Sequence, residues 1–283
     1  MKKIKSFIIV FLLTVVTVNT FGQNKSYPFE VKISGQGKQS IIFIPGFTCS
    51  GEVWNETKSV YEKDFTCYTL TMAGFAEVKP QPNASFKNWE DGIVNFIKDN
   101  KIKKPILIGH SMGGGLTLAI ASDYPKLIKK IIVVDAVPCM GAFGNPAFKS
   151  LENPDNSEKI NSILSATDEQ FRTMQKNSIY GLVTNKSKQE LVLSWALKSD
   201  RKTLAEMFWD YANIDLREKL KNITCPSLIL LNSYYSKSKS VMEEQFKNLK
   251  NVNLQYAGKG SHFIMYDDTE WYLSQLNNFI PKK

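Results

Sequence analysis

The sequence predicts an α/β protein with a mostly parallel central sheet, and three observations carry this prediction. Short apolar runs of strand length alternate along the chain with segments whose apolar residues recur at helical spacing. Several of these runs are apolar throughout, as expected of strands buried on both faces of a parallel sheet. The chain has 283 residues, of which 43% are hydrophobic, which suits one large domain or two small ones with a sizeable core.

The predicted strands begin with one that alternates apolar and polar residues. It ends at Gly35, and an apolar strand follows Gly37, so these two strands are predicted to form a hairpin. The predicted strands are 29–33, 40–44, 65–71, 105–108, 131–134, 227–231 and 252–256. Helices are predicted near 52–61, after an N-cap at Ser85 as far as about 100, directly after 111, near 241–249 and over 269–279.

A long segment interrupts this alternation. Between residues 138 and 222 the apolar positions recur at helical rather than strand spacing, which predicts a helical insertion between two of the C-terminal strands. The predicted organisation is therefore a core formed by 23–137 and 223–283, with 138–222 inserted into it.

Residues 1–22 are predicted to be a signal peptide. Lys2, Lys3 and Lys5 precede an apolar run over 7–18, and cleavage is expected after Gly22. A membrane helix is the alternative, but the run is about 12 residues long against the roughly 20 needed to span a bilayer. We therefore expect an exported protein, periplasmic or secreted, with no stable membrane insertion after cleavage.

Composition disfavours several classes of function. The formal net charge of +9 comes from scattered lysines without an aromatic-interleaved stripe, so nucleic-acid binding is not expected. The four cysteines are too few and too widely spaced for a disulfide scaffold, and we interpret them as small buried hydrophobic residues. The two histidines lie in separate segments, so we expect no metal centre. The sequence has no phosphate-binding loop motif, so we expect no nucleotide cofactor.

Ser111 lies at the centre of the strongest motif. Residues 109–113 read Gly-His-Ser-Met-Gly, placed between an apolar strand and a helix. A serine on such a sharp strand-to-helix turn projects into a cleft, and glycines two positions before and after it remove a steric collision across the turn. The context predicts a nucleophilic serine, with an unrelated glycine-rich turn as the alternative.

His262 is the candidate general base. It follows the last predicted strand, so it should meet Ser111 at the carboxyl edge of the parallel sheet. The other histidine, His110, is beside the nucleophile, where the turn directs its side chain elsewhere, and we expect it to pack.

Four segments together resemble the α/β-hydrolase superfamily, over about residues 30–281. They are Ile44-Pro45-Gly46-Phe47 with Trp54, Ala73-Gly74-Phe75, Gly109 to Gly114, and Gly260-Ser261-His262-Phe263. The resemblance implies the α/β-hydrolase fold, a lid formed by 138–222, and an oxyanion hole made by the backbone amides of Phe47 and Met112.

The sequence departs from that family in two places. Pro45-Gly46 stands where the family usually has His-Gly, and no carboxylate follows the penultimate strand, where the chain has Asn232 to Tyr235. Some family members carry the acid after the strand that follows the nucleophile helix, which makes Asp135 the candidate. The alternative is that Asp135, as a residue at a strand end, only forms hydrogen bonds with nearby backbone groups. Asp267 and Asp268 are the next candidates, with Asp268 more typical of a helix N-cap.

These residues predict a serine hydrolase that cleaves a small to medium carboxylic ester, thioester or lactone. The alternatives are the same triad used for carbon-carbon hydrolysis or cofactor-free perhydrolysis, and a binding protein with this fold and no turnover. The sequence does not indicate an oligomeric state. Aromatic residues of the predicted lid are candidates for lining an apolar pocket, although such spacing is more often that of a core. These residues are Phe171, Tyr180, Phe208, Trp209 and Tyr211.

Overall fold

Seven strands form one sheet in the computed structural model, which describes residues 26–281. The strands are β1 (Phe29–Ser34), β2 (Gln39–Ile44), β3 (Phe65–Met72), β4 (Ile106–His110), β5 (Lys130–Val134), β6 (Ser227–Leu231) and β7 (Val252–Tyr256). Their order across the sheet is β1-β3-β2-β4-β5-β6-β7. Every neighbouring pair is parallel except β1 and β3, so the predicted mostly parallel sheet is confirmed.

The predicted hairpin between the first two strands is wrong, because β3 lies between them. The two glycines that suggested a tight turn instead let the chain cross the start of β3. A Cβ on Gly35, whose φ is +72°, would lie 2.2 Å from the Phe65 carbonyl oxygen, and one on Gly37 would lie 2.0 Å from that of Asp64. Strand β2 thereby gains a parallel neighbour on each side, and its apolar part from Ile41 to Ile44 is buried on both faces.

The register brings the ends of the central strands to one edge of the sheet. His110 at the end of β4 pairs with Val134, which pairs with Leu230 near the end of β6. The residues that follow these strands therefore lie next to one another. This edge holds the candidate site.

Three helices precede the insertion: α1 (Asn55–Tyr61), α2 (Phe86–Asp99) and α3 (Met112–Asp123). The predicted N-cap of α2 is confirmed, since the Ser85 hydroxyl accepts a hydrogen bond of 3.1 Å from the Asn88 amide. The four α-helices of the insertion are α4 (Ser157–Leu164), α5 (Asp168–Leu182), α6 (Lys186–Leu197) and α7 (Arg201–Ala212). Its two ends meet, because Cys139 forms an isolated β-bridge with Asp215.

The last helices of the described chain are α8 (Lys239–Phe246), α9 (Ile264–Asp267) and α10 (Thr269–Phe279). The helical turn α9, four residues long, was not predicted. Within residues 26–281, every helix is too short or too polar to cross a bilayer. The predicted signal peptide, residues 1–22, lies outside the described residues.

Two apolar clusters pack on the opposite faces of the sheet, since neighbouring residues of a strand point to opposite sides. In β4, Leu107 belongs to one cluster, and Ile106 and Ile108 belong to the other. The four cysteines are free and buried, as interpreted from the sequence. The sheet is thus a rigid base for the groups at its carboxyl edge.

Candidate active site

Ser111 occupies a strained turn between β4 and α3. Its φ is +52° and its ψ is −122°, values that a residue with a side chain rarely adopts. Its amide donates a hydrogen bond of 2.9 Å to the Val134 carbonyl, which fixes the turn to the neighbouring strand. A Cβ on Gly109 would lie 2.1 Å from the Gly113 carbonyl oxygen, and one on Gly113 would lie 2.3 Å from that of Ile44. The glycine spacing is therefore required by close backbone contacts.

His262 and Asp135 form a short hydrogen bond at the same edge. The Nδ1 atom of His262 lies 2.6 Å from Oδ2 of Asp135, whose side chain is 2% exposed. Asp135 directly follows β5 and has a φ of +49°, so the strand end turns its carboxylate toward the loop that carries His262. A carboxylate at Nδ1 favours the tautomer with its proton there and leaves Nε2 as an acceptor.

Asn232 was not predicted as a site residue, yet it holds the Asp135 carboxylate. Its backbone amide donates to Oδ1 over 2.8 Å, and its side-chain Nδ2 donates to Oδ2 over 2.9 Å. Asn232 directly follows β6, the position where the resemblance led us to expect an acid. The sequence held one indication of this role, namely that an asparagine occupies the position where an acid was expected. An amide there can donate a hydrogen bond to an acid at the end of the neighbouring strand.

His110 is buried beside His262 and is not placed as a base. Its Nε2 lies 2.9 Å from the backbone carbonyl oxygen of His262, and the two rings are 4.6 Å apart. Burial, and after it the neighbouring His262, holds the pKa of His110 well below its usual value, so the ring is neutral and Nε2 donates. His110 therefore supports the loop that carries His262.

Asp267 and Asp268 do not contact His262 in the manner of a triad acid. Asp267 accepts hydrogen bonds from the backbone amides of Ser261 (2.9 Å), Thr184 (3.0 Å) and Asn185 (2.8 Å). It thereby joins the His262 loop to the turn between α5 and α6. Asp268 precedes α10 as expected, but its side chain makes no capping hydrogen bond.

The backbone amides of Phe47 and Met112 have no hydrogen-bond acceptor among residues 26–281. Met112 is the first residue of α3, where the helix dipole favours negative charge, and Thr48, with a φ of +59°, donates from its hydroxyl to the Phe47 carbonyl. The Ser111 hydroxyl also has no hydrogen-bond partner among residues 26–281. Ser111, His262 and Phe47 all line one cavity.

That cavity has a volume of about 540 Å³ and lies between the sheet edge and the insertion. Of the predicted pocket aromatics, Phe208, Trp209 and Tyr211 line it. Phe171 and Tyr180 do not, which corrects the prediction for these two residues. Phe171 is 2% exposed and packs in the core under Arg201, whose guanidinium lies 4.4 Å from its ring centroid. The Tyr180 hydroxyl bonds Glu190 on the next helix.

Among the described residues, no group of three or more His, Cys, Asp or Glu side chains is arranged to hold a metal ion. The groups that lie at this edge are a hydroxyl, an imidazole hydrogen-bonded to a carboxylate, and backbone amides. Such a set can carry out nucleophilic and acid-base chemistry on a carbonyl group.

Comparison with known proteins identifies similar sequences. Residues 39–269 match the family model described as the alpha/beta hydrolase fold. The chain is 24% identical over 257 residues to the pimeloyl-[acyl-carrier protein] methyl ester esterase of Vibrio cholerae, covering 89% of this chain and 97% of that protein. It is 28% identical over 257 residues to a putative esterase/lipase of Haemophilus influenzae, covering 86% and 83%.

Solved structures share the fold. A thermophilic esterase from Thermogutta terrifontis superposes with a TM-score of 0.73 at 17% identity, covering 89% of this chain and 92% of that one. An enol-lactonase from Burkholderia xenovorans superposes with a TM-score of 0.74 at 12% identity, covering 89% and 95%. Identities this low show the fold alone.

Proposed function

Because the chain belongs to the α/β-hydrolase fold family, we propose that it is a serine hydrolase that cleaves a small to medium carboxylic ester, thioester or lactone through an acyl-enzyme. The class of reaction, hydrolysis of carboxylic esters, follows from the family match together with the esterases among its relatives. The roles of individual residues and the choice of acyl group are the finer part of the proposal.

The contact between His262 and Asp135 is the observation that carries this proposal. A buried carboxylate 2.6 Å from Nδ1 orients the imidazole and stabilises the imidazolium that forms when a proton is taken at Nε2. Ser111, the only other residue needed for nucleophilic attack, lines the same cavity on a strained turn.

In the acylation step, the Ser111 hydroxyl oxygen attacks the substrate carbonyl carbon while its proton passes to Nε2 of His262. The resulting oxyanion accepts hydrogen bonds from the amides of Phe47 and Met112, and each such donor is worth roughly 3 to 4 kcal/mol in the transition state. Collapse of the tetrahedral intermediate expels the alcohol, which takes the proton from His262. The acyl group remains on Ser111.

In the deacylation step, water attacks the acyl-enzyme and His262 accepts the proton of that water. The carboxylic acid leaves, and the proton returns to the Ser111 oxygen. Throughout both steps Asp135 stays ionised and fixes the orientation of the imidazole.

We further propose that residues 138–222 form a lid, because helices α5 and α7 contribute Ile179 and Phe208 to the cavity wall. A cavity of about 540 Å³ suits a small or medium acyl group better than a polymer. Export of the chain remains a proposal that rests on residues 1–22 of the sequence.

A panel of p-nitrophenyl esters with acyl chains from two to sixteen carbons tests the proposed function. We expect hydrolysis to be greatest at short or medium length and absent in Ser111→Ala. Rates that rise steadily to the longest chain would contradict the small pocket, and no hydrolysis of any ester by the unsubstituted protein would contradict the proposed reaction.

A further inference from the structure

Tyr211 and Tyr235 line the cavity, and neither phenol hydroxyl has a hydrogen-bond partner among residues 26–281. Tyr211 as a whole residue is 9% exposed. A cavity-lining hydroxyl that loses water to a bound ligand and gains no partner is unfavourable, and phenylalanine would line the same wall without that cost. The other large aromatic residues of the wall are Phe47, Phe143, Phe208, Trp209 and Phe263.

Tyr211 lies against the first turn of α3, close to the nucleophile. A Cβ added to Gly115 would lie 2.6 Å from Cε2 of the Tyr211 ring and 3.0 Å from its hydroxyl oxygen. The Gly115 amide donates to the Ser111 carbonyl over 3.0 Å, so these two residues are about one helical turn apart, a rise of about 6 Å. The ring is stacked on Phe86 with centroids 5.6 Å apart, which fixes its position.

Tyr235 reaches the same part of the cavity from the segment after β6. Its amide donates to the Asn232 carbonyl, and its ring is stacked on Phe143 with centroids 5.8 Å apart. Burial, and after it the charge of Asp135, raises the pKa of Tyr235 to about 12. Burial also raises the pKa of Tyr211, so both hydroxyls keep their protons at neutral pH and can donate.

The charges around the cavity restrict what these hydroxyls can bind. Among residues 26–281, Asp135 carries the only carboxylate in the cavity wall, and no lysine or arginine of this range lines it. A substrate anion would lie near that carboxylate without a compensating cation. The acceptor must therefore be an uncharged oxygen.

We propose that Tyr211 and Tyr235 form a subsite that binds a second, uncharged oxygen of the substrate, such as a hydroxyl, ether, ketone or amide oxygen, near the reacting carbonyl. The proposal rests on the proposed function and names the class of ester within it. A site that offers donors to such an oxygen discriminates against a hydrocarbon analogue that leaves them unpaired.

Matched substrate pairs test the subsite. One series consists of p-nitrophenyl hexanoate and its analogues with an ether oxygen in place of the methylene at position 3, 4 or 5. A second series compares butyl with 2-methoxyethyl hexanoate, which moves the oxygen to the alcohol side. For each pair the ratio of kcat/KM, ether over hydrocarbon, is measured in the unsubstituted protein, Tyr211→Phe, Tyr235→Phe and the double variant. Intrinsic reactivity cancels when these ratios are compared between proteins.

We expect the ratio to fall about three- to tenfold in at least one tyrosine variant for at least one oxygen position, as for loss of one neutral hydrogen bond. Tyr180→Phe is the matched control, since its hydroxyl lies outside the cavity wall, and its ratios should not change. Ratios unchanged in all three variants for both series would overturn the subsite while leaving ester hydrolysis intact. Absence of hydrolysis for every ester would instead overturn the proposed function, and the subsite with it.

Discussion

Asn232 donates two hydrogen bonds to the carboxylate of Asp135, one from its backbone amide and one from its side chain. The two residues follow the neighbouring strands β6 and β5. Asn232, at the position where the family often has its acid, therefore binds the carboxylate that lies at the end of the next strand. The Nδ1 atom of His262 lies 2.6 Å from Oδ2 of Asp135, the oxygen that also accepts the hydrogen bond from the Asn232 side chain. Three donors therefore hold this buried carboxylate in place.

The first prediction concerns the acid itself. Asp135→Asn should preserve the fold, because the amide matches the carboxylate in shape, but it should lower kcat by about 10⁴ by favouring the wrong tautomer of His262. Ester turnover and circular dichroism of the variant check this. A variant with most of the original turnover would show that Asp135 is not the triad acid.

The second prediction concerns Asn232. Asn232→Ala removes the side-chain donor and leaves the backbone donor, so kcat/KM should fall by about tenfold, the effect of one hydrogen bond to a charged group. Asn253→Ala, an exposed asparagine on β7, is the matched control and should change little. Equal activity of the two variants would exclude a role for Asn232 in orienting Asp135.

The third prediction concerns Asp267, which joins the His262 loop to the turn between α5 and α6. Asp267→Asn should weaken three bonds to backbone amides and reduce the free energy of unfolding by about 2 kcal/mol. It should also lower kcat more than it raises KM, because His262 is displaced while the apolar wall remains. Asp268→Asn is the control, since within the described part of the chain that carboxylate accepts one hydrogen bond, of 3.4 Å from the Lys259 amide, and lies 3.9 Å from the Nζ atom of the same lysine. An equal effect of both substitutions would argue against a specific role of Asp267.

The fourth prediction is a pH dependence of stability. His110 has a pKa well below its usual value in the folded chain because of burial, whereas in the unfolded chain it binds a proton below about pH 6.5. The unfolded state therefore gains protons first as the pH falls, so folding loses up to about 2 kcal/mol from this residue between pH 7.5 and pH 5.

Urea unfolding of the original protein and of His110→Phe at both pH values isolates this contribution. The variant should be less stable at pH 7.5, because the His262 carbonyl loses its donor, yet it should lose less stability on acidification. Parallel losses in the two proteins would mean that His110 is protonated in the folded chain.

Much of the site could be predicted from the sequence because its groups follow strands. Ser111 and Asp135 come directly after strands that the apolar pattern identifies, and His262 lies in the segment that follows the last strand. Strand ends of a parallel sheet meet at one edge. Short-range patterns were sufficient for Ser111 and His262, whereas Asp135 became the candidate through the resemblance to the α/β-hydrolase superfamily. The pairing of those strands did not need to be known.

Other features depend on contacts between distant segments. Gly35 and Gly37 indicate a turn equally well whether the chain returns to its neighbour or crosses β3, so the hairpin was mispredicted. Helical spacing identified the aromatic residues of the insertion, but it did not indicate whether each side chain faces the core or the cavity. Phe171 faces the core while Phe208 faces the cavity, which only the packing of α5 and α7 decides.

The central claim is that Ser111 is a nucleophile activated by His262, and covalent labelling tests it most directly. The full chain is treated with a fluorophosphonate serine probe and digested, and the labelled peptide is identified by mass spectrometry. Ser111→Ala serves as the control. We predict one adduct, on the peptide that contains Ser111, and none in the control or in His262→Ala over the same time. Absence of the adduct in the unsubstituted protein, or an adduct on another serine, would contradict the account.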